Sequence, residues 1–254
     1  MRARTEKRLI VNADDLGRTP GINAGIFEAC ERGLVTSATL MVGFSAAEEA
    51  AFEWSRTPGI GIGLHAALTG GRPLLPPAEV PSLVDEEGRL PATPEGLDGA
   101  HPDEVMAEVK AQFDRFRTLT GRLPTHLDSH HHSHRLPVVR KALVSLAGRY
   151  GLPVRNASAD VGEQLRREGI ATTDAFVEDF FGDEARLDVL LEILAGLGTG
   201  VTELMCHPGR VDEALRLDSS YVVEREQELA VLTHPEAVRA IREARIVLTH
   251  FGEL

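Results

Sequence analysis

Along most of this chain, short runs rich in β-branched and apolar residues alternate with longer segments of helical periodicity. That order constrains the fold more than any other feature. Arg8–Ala13, Val35–Val42, Ile60–Leu68, Pro124–Ser129, Val154–Arg155, Val201–Cys206 and Arg245–Thr249 read as strands. Gly21–Gly33, Ala46–Ser55, Pro102–Thr120, Pro137–Tyr150, Arg186–Leu197, Val222–Leu232 and Pro235–Ala244 read as helices, several with Pro in the first turn or Gly after the last. Strand–helix alternation builds a parallel sheet with crossover helices. The 254 residues match the size of a (β/α) barrel. No G-x-G-x-x-G follows the first strand, which favours a closed, TIM-barrel-like α/β fold over an open dinucleotide-binding sheet. Residues 70–100 are rich in Pro, Gly and acids without a period, and are expected to form one long binding or lid loop within a single domain spanning 1–254.

Composition narrows the function classes. A net charge of −12 argues against a nucleic-acid or anionic-membrane partner. Two distant cysteines, Cys30 and Cys206, make neither a CxxC nor a thiolate cluster. The basic start is followed by only Leu9-Ile10-Val11 before polar residues, too short for a signal sequence, and no window is long enough for a membrane span. A cytoplasmic location is the expectation.

Polar clusters fall where four predicted strands end: Asn12-Ala13-Asp14-Asp15, Gly63-Leu64-His65, His126–His130 and Cys206-His207-Pro208-Gly209. Ligands bind at that end of parallel α/β folds. Residues 126–134 carry five of the ten histidines. Strand alternation puts His126, Asp128 and His130 on one face, with His130 at the end as the best ligand and Asp128 suited to orient a ligand imidazole. His131, His132 and His134 cannot all be ligands, and some belong beside the site. Adjacent Asp14 and Asp15 cannot point the same way from a regular strand, so one can ligate a metal while the other faces the substrate as a base. Pro208-Gly209 would fix His207 in a rigid turn. One carboxylate and two imidazoles leave positions open on a metal, as hydrolysis requires, although the same set serves Fe(II) oxygenases.

Several stretches together resemble the YdjC-like carbohydrate deacetylases. They are Leu9–Gly17 (LIVNADDLG), Gly33–Met41, Gly63–Thr69, Pro124–His134 and Glu203–Gly209, with Tyr221, Arg225-Glu226 and Glu228-Leu229 fitting a further stretch. The resemblance implies a TIM-barrel-like fold and one divalent metal ion, Mg or Zn, held by Asp15, His65 and His130. It implies Asp14 as general base and His207 as general acid, with His126, Asp128 and His132 in supporting or substrate-contacting positions. The implied reaction removes an acetyl group from an N-acetylated amino sugar or oligosaccharide, some members acting in hopanoid lipid synthesis, and the implied assembly is a homodimer. Leu16 stands where Phe is common, and Ala66-Ala67 replace bulkier residues, a departure that bears on the substrate more than on the chemistry. A two-metal phosphoesterase and a non-catalytic metal-binding protein are the competing readings.

Overall fold

The computed structural model describes residues 6–254. In chain order its elements are β1 (Lys7–Leu16), α1 (Pro20–Arg32), β2 (Ser37–Leu40), α2 (Ala47–Arg56), β3 (Gly61–Ala66), α3 (Pro102–Thr120), β4 (Leu127–Ser129), α4 (Pro137–Tyr150) and α5 (Ala159–Arg167). They continue with β5 (Ala175–Val177), α6 (Leu187–Gly196), β6 (Gly200–Cys206), α7 (Glu213–Asp218), α8 (Val223–Leu232), α9 (Pro235–Glu243) and β7 (Val247–Leu248). The strands pair in the order β4-β3-β2-β1-β6-β5, with β7 beside the first half of β1, and every pairing is parallel.

The sheet curls into the TIM-barrel-like form expected from the alternation. Irregular backbone closes the gap between β4 and β5. Leu127 N–H donates to Pro153 O (2.9 Å), Arg155 N–H to Leu127 O (3.0 Å) and Val154 N–H to Ala171 O (3.0 Å). The expected strand at Val154–Arg155 is therefore a single bridge, Val154 to Leu127. The short elements α5, β5 and α7 lie outside the strands and helices read from the sequence. α5 has few apolar positions and is fixed by its cap, Ser158 Oγ accepting from Val161 N–H at 3.3 Å.

Strand alternation sorts the layers. Leu9, Val11 and Ala13 of β1 join the large core beneath the helices, whereas Ile10 meets Val201 and Phe251 inside the barrel. Residues 70–100 form the expected excursion, made of short 3₁₀ turns with Val80, Leu83, Leu90 and Leu97 buried. Buried Glu108 of α3 anchors its start by accepting the N–H groups of Leu74 (2.9 Å) and Leu75 (3.0 Å). Gly63 in β3 has a packing reason, because a Cβ there would lie 2.5 Å from the His126 ring. Among the described residues, no helix is long and apolar enough to cross a membrane.

Candidate metal and catalytic site

The carboxyl ends of β1, β3, β4 and β6 converge, and a break in β1 is what brings two neighbouring carboxylates together there. The β1–β2 register shifts between Ala13 and Leu16, and Asp15 adopts a left-handed φ of 69°. Strict alternation would send Asp14 and Asp15 to opposite faces. The bulge instead lets each place a carboxylate oxygen within 4.8 Å of a His65 ring nitrogen.

Asp15, His65 and His130 form one buried group. Asp15 Oδ1 lies 3.2 Å from His130 Nδ1 and 3.6 Å from His65 Nε2, yet is buried without a hydrogen-bond partner. Ligand atoms of a tetrahedral site with bonds of roughly 2.0–2.1 Å are about 3.4 Å apart, so this spacing fits a divalent ion. Asp15 Oδ2 is occupied by Arg225 Nη2 at 2.5 Å. On the far side of the His65 ring, Nδ1 lies 2.7 Å from Asp128 Oδ1 and 3.1 Å from Thr39 Oγ1, which leaves Nε2 facing Asp15. A carboxylate behind a ligand histidine fixes the ring and its tautomer. Burial opposes charge on His65, but Asp128 and Asp14 outweigh it and push its pKa up to about 9. A second triplet, Asp14, His65 and Asp128, shares the imidazole, but both of its carboxylates are already bonded to Arg155.

Arg155 sits below this group, fully buried. It donates to Asp14 through Nη1 (2.7 Å) and Nη2 (2.6 Å) and to Glu203 through Nε (2.8 Å), and lies 3.0 Å from Asp128 Oδ2. Burial alone would raise the Asp14 pKa. The Arg155 guanidinium overrides it and holds Asp14 well below the usual carboxylate range. Glu203 has the weaker share, since burial is the larger influence and pushes it up to about 7.

His207, after β6, is held by its neighbours on both sides. Glu228 of α8 accepts its backbone N–H in a short hydrogen bond and also accepts Tyr221 OH at 2.6 Å. The ring Nδ1 lies 3.7 Å from Glu228 Oε1. The turn packs on α1 because Gly25 has no side chain: a Cβ there would be 2.4 Å from Gly209 Cα. Asp14, His65, His130 and His207 all face a cavity of about 250 Å³, together with Met205 and Phe181. A neighbouring cavity of about 570 Å³ shares His130, Phe181 and His207 and extends towards Arg225, Ser219 and Tyr221, with Gly70 and Ala92 of the long loop on its wall.

Of the predicted residues, Asp14, Asp15, His65, Asp128, His130 and His207 thus meet in one site. His132 also reaches the cavity, 3.4 Å from Glu178, from a left-handed backbone (φ 50°). His126 lies deeper in the barrel, stacked on Phe251 with centroids 3.8 Å apart, and is not on the cavity wall. His134 is buried against Ser129 Oγ at 2.6 Å. Local sequence pattern assigns no role to Arg155, Glu203, Thr39, Glu178 or Phe181. Arg155 carried a readable signal, a charged residue just after the apolar run Leu152-Pro153-Val154.

A parallel α/β barrel with an Asp-His-His group at the carboxyl ends of its strands defines a metallohydrolase-type site. The chain belongs to the YdjC-like protein family, whose model matches residues 8–243. It is 44% identical to a carbohydrate deacetylase of Geobacillus stearothermophilus over 96% of each chain. It is 41% identical to a chitooligosaccharide deacetylase of Serratia marcescens, covering 98% of this chain and all of the other. A solved structure from Enterococcus faecalis, described as a putative cellobiose-phosphate cleavage protein, superposes with a TM-score of 0.92 at 34% identity, covering 98% and 99% of the two chains.

Proposed function

We propose that this protein is a metal-dependent carbohydrate deacetylase, which hydrolyses the acetamide of an N-acetylated amino sugar or oligosaccharide to acetate and a free amine. Full-length relatives named carbohydrate and chitooligosaccharide deacetylases support the activity. The observation that carries the mechanism is the convergence of an arginine-held Asp14, the Asp15-His65-His130 group and His207 on one cavity.

Asp15, His65 and His130 would hold the ion, and two imidazoles favour zinc over magnesium, which prefers an all-oxygen shell. A divalent ion in that position supplies Lewis acidity that polarises the acetamide carbonyl and acidifies a water. Asp14, kept anionic by Arg155, accepts the proton of the water whose oxygen attacks the carbonyl carbon. His207 gives a proton to the nitrogen as the C–N bond breaks, so the sugar leaves as a neutral amine and acetate keeps the water oxygen. Arg225 joins Asp15 to the His207 turn: its guanidinium donates to the Asp15 carboxylate at 2.5 Å and to the His207 carbonyl at 3.5 Å, its own carbonyl accepts Gly209 N–H at 3.2 Å, and the ligand is thereby tied to the acid.

The test is acetate release from a panel of N-acetylated sugars, with and without chelator. Turnover that chelator abolishes and added zinc restores is the expected result. Asp14→Asn should keep its metal and lose turnover; metal-loaded wild-type protein silent across the panel would overturn the reading.

A further inference from the structure

Beyond β5 the chain runs along the mouth of the site, and it places a phenyl ring where burial would be expected. Phe181 is 46% exposed. One face of the ring is taken by Tyr221, parallel to within 5° with centroids 4.3 Å apart, which leaves the opposite face to a ligand. The ring lies on the walls of both cavities, 5.4 Å from the His207 ring, and so stands between them. Tyr221 OH accepts the N–H of Gly182 at 2.9 Å, so the backbone that carries the ring is tied down.

Three residues earlier, Glu178 faces the smaller cavity with a side chain 42% exposed. Arg135 Nη2 donates to its two oxygens at 2.7 and 2.8 Å, and Arg135 is itself fixed to the Ala157 carbonyl at 3.1 and 2.7 Å. A carboxylate has about four lone-pair sites, so acceptor capacity remains on a group whose position is already set. A pyranose presents an apolar C–H face and a rim of hydroxyl donors. A flat apolar ring beside a fixed acceptor complements both, and ordering them beforehand lowers the entropic cost of binding.

We propose that Phe181 and Glu178 form the subsite that orients the sugar: a pyranose ring lies on the open face of Phe181, its hydroxyls donate to Glu178, and its N-acetyl group is thereby carried to Asp14 and His207. This assignment rests on the deacetylase reading and names the residues that make it selective for a sugar ring over an open-chain acetamide.

The experiment uses the metal-loaded full chain and N,N′-diacetylchitobiose as probe, with calorimetric binding and acetate release measured separately. Phe181→Ala and Phe181→Leu should weaken binding about tenfold and raise KM in step, with kcat within about threefold of wild type. Glu178→Gln should weaken binding by a similar factor. Phe181→Trp should bind within about threefold of wild type and change its tryptophan emission on titration, the chain's own Trp54 being buried in α2. Unchanged binding in Phe181→Ala, or a loss confined to kcat, overturns the subsite, because the ring would then only support Tyr221 and His207. Wild-type binding without acetate release sinks the deacetylase reading and leaves the subsite standing. Neither binding nor release sinks both.

Discussion

Replacing Arg155 by methionine keeps the volume of the side chain and deletes its charge. The fully buried guanidinium bonds Asp14 and Glu203 and contacts Asp128 at 3.0 Å, so the variant leaves three carboxylates facing one another in the barrel. Removing one partner of a buried ion pair costs about 3–5 kcal/mol. With three anions uncompensated, a loss at the upper end is expected at pH 8, a large part of the roughly 5–15 kcal/mol that stabilises a typical domain. The loss should shrink as pH falls. In the native protein Arg155 holds Asp14 below the usual carboxylate range. Without it, burial dominates and raises the folded-state pKa values above the unfolded ones. A raised carboxylate contributes stability that is present at acidic pH and lost as pH rises through the folded pKa, so each such proton restores about 1.4 kcal/mol per unit of acidification. Urea denaturation of wild type and variant at pH 5 and pH 8, with chelator throughout, reads this difference. A volume-conserving change that removed packing alone would cost under about 1.5 kcal/mol. A loss of that size, equal at both pH values, would refute the electrostatic account.

Three further outcomes follow from the same geometry. Asp15→Asn, which tolerates the left-handed backbone at φ 69° but removes the charge that faces buried Arg225, should lower stability and lose the single bound ion, measured as metal per chain on the folded variant; full occupancy would remove Asp15 from the ligand set. Asp128→Asn should weaken metal affinity about 10- to 100-fold by freeing the His65 ring that Asp128 holds at 2.7 Å, as read by chelator competition. Glu203, pushed up to about 7 from 4.5, should make the wild type lose stability as pH rises from about 4.5 to 7. Glu203→Gln should lack that component, so denaturation curves of the two proteins that keep a constant gap across this window would count against the raised value.

Much of the site was legible in the chain because strand ends are legible. Apolar runs terminating in Asp14-Asp15, His65, His130 and His207 mark the side of a parallel barrel where side chains leave the sheet for the cavity. The resemblance to the YdjC-like proteins then sorted those residues into roles. Element limits were less legible: Pro124–Ser129 shrinks to Leu127–Ser129, and Val154–Arg155 to one bridge. Hydrogen bonding to a neighbour, which sets where a strand begins, is not written in local pattern. The same limit hid Phe181 and Glu178, whose polarity and spacing look like those of any loop.

The sequence by itself determined the alternating architecture, the residues able to bind a metal and the end of the barrel where they gather, since each follows from periodicity and side-chain chemistry. Tertiary structure decided how they work together. A bulge in β1 turned two neighbouring carboxylates onto one site. Arg155, 141 residues from Asp14, holds the base as an anion. His126, on the same strand face as Asp128 and His130, sits a layer deeper against Phe251, whereas His132 reaches the cavity through a left-handed backbone. Those outcomes depend on distances between segments far apart in the chain, where burial makes each charge dependent on a partner that local sequence does not name.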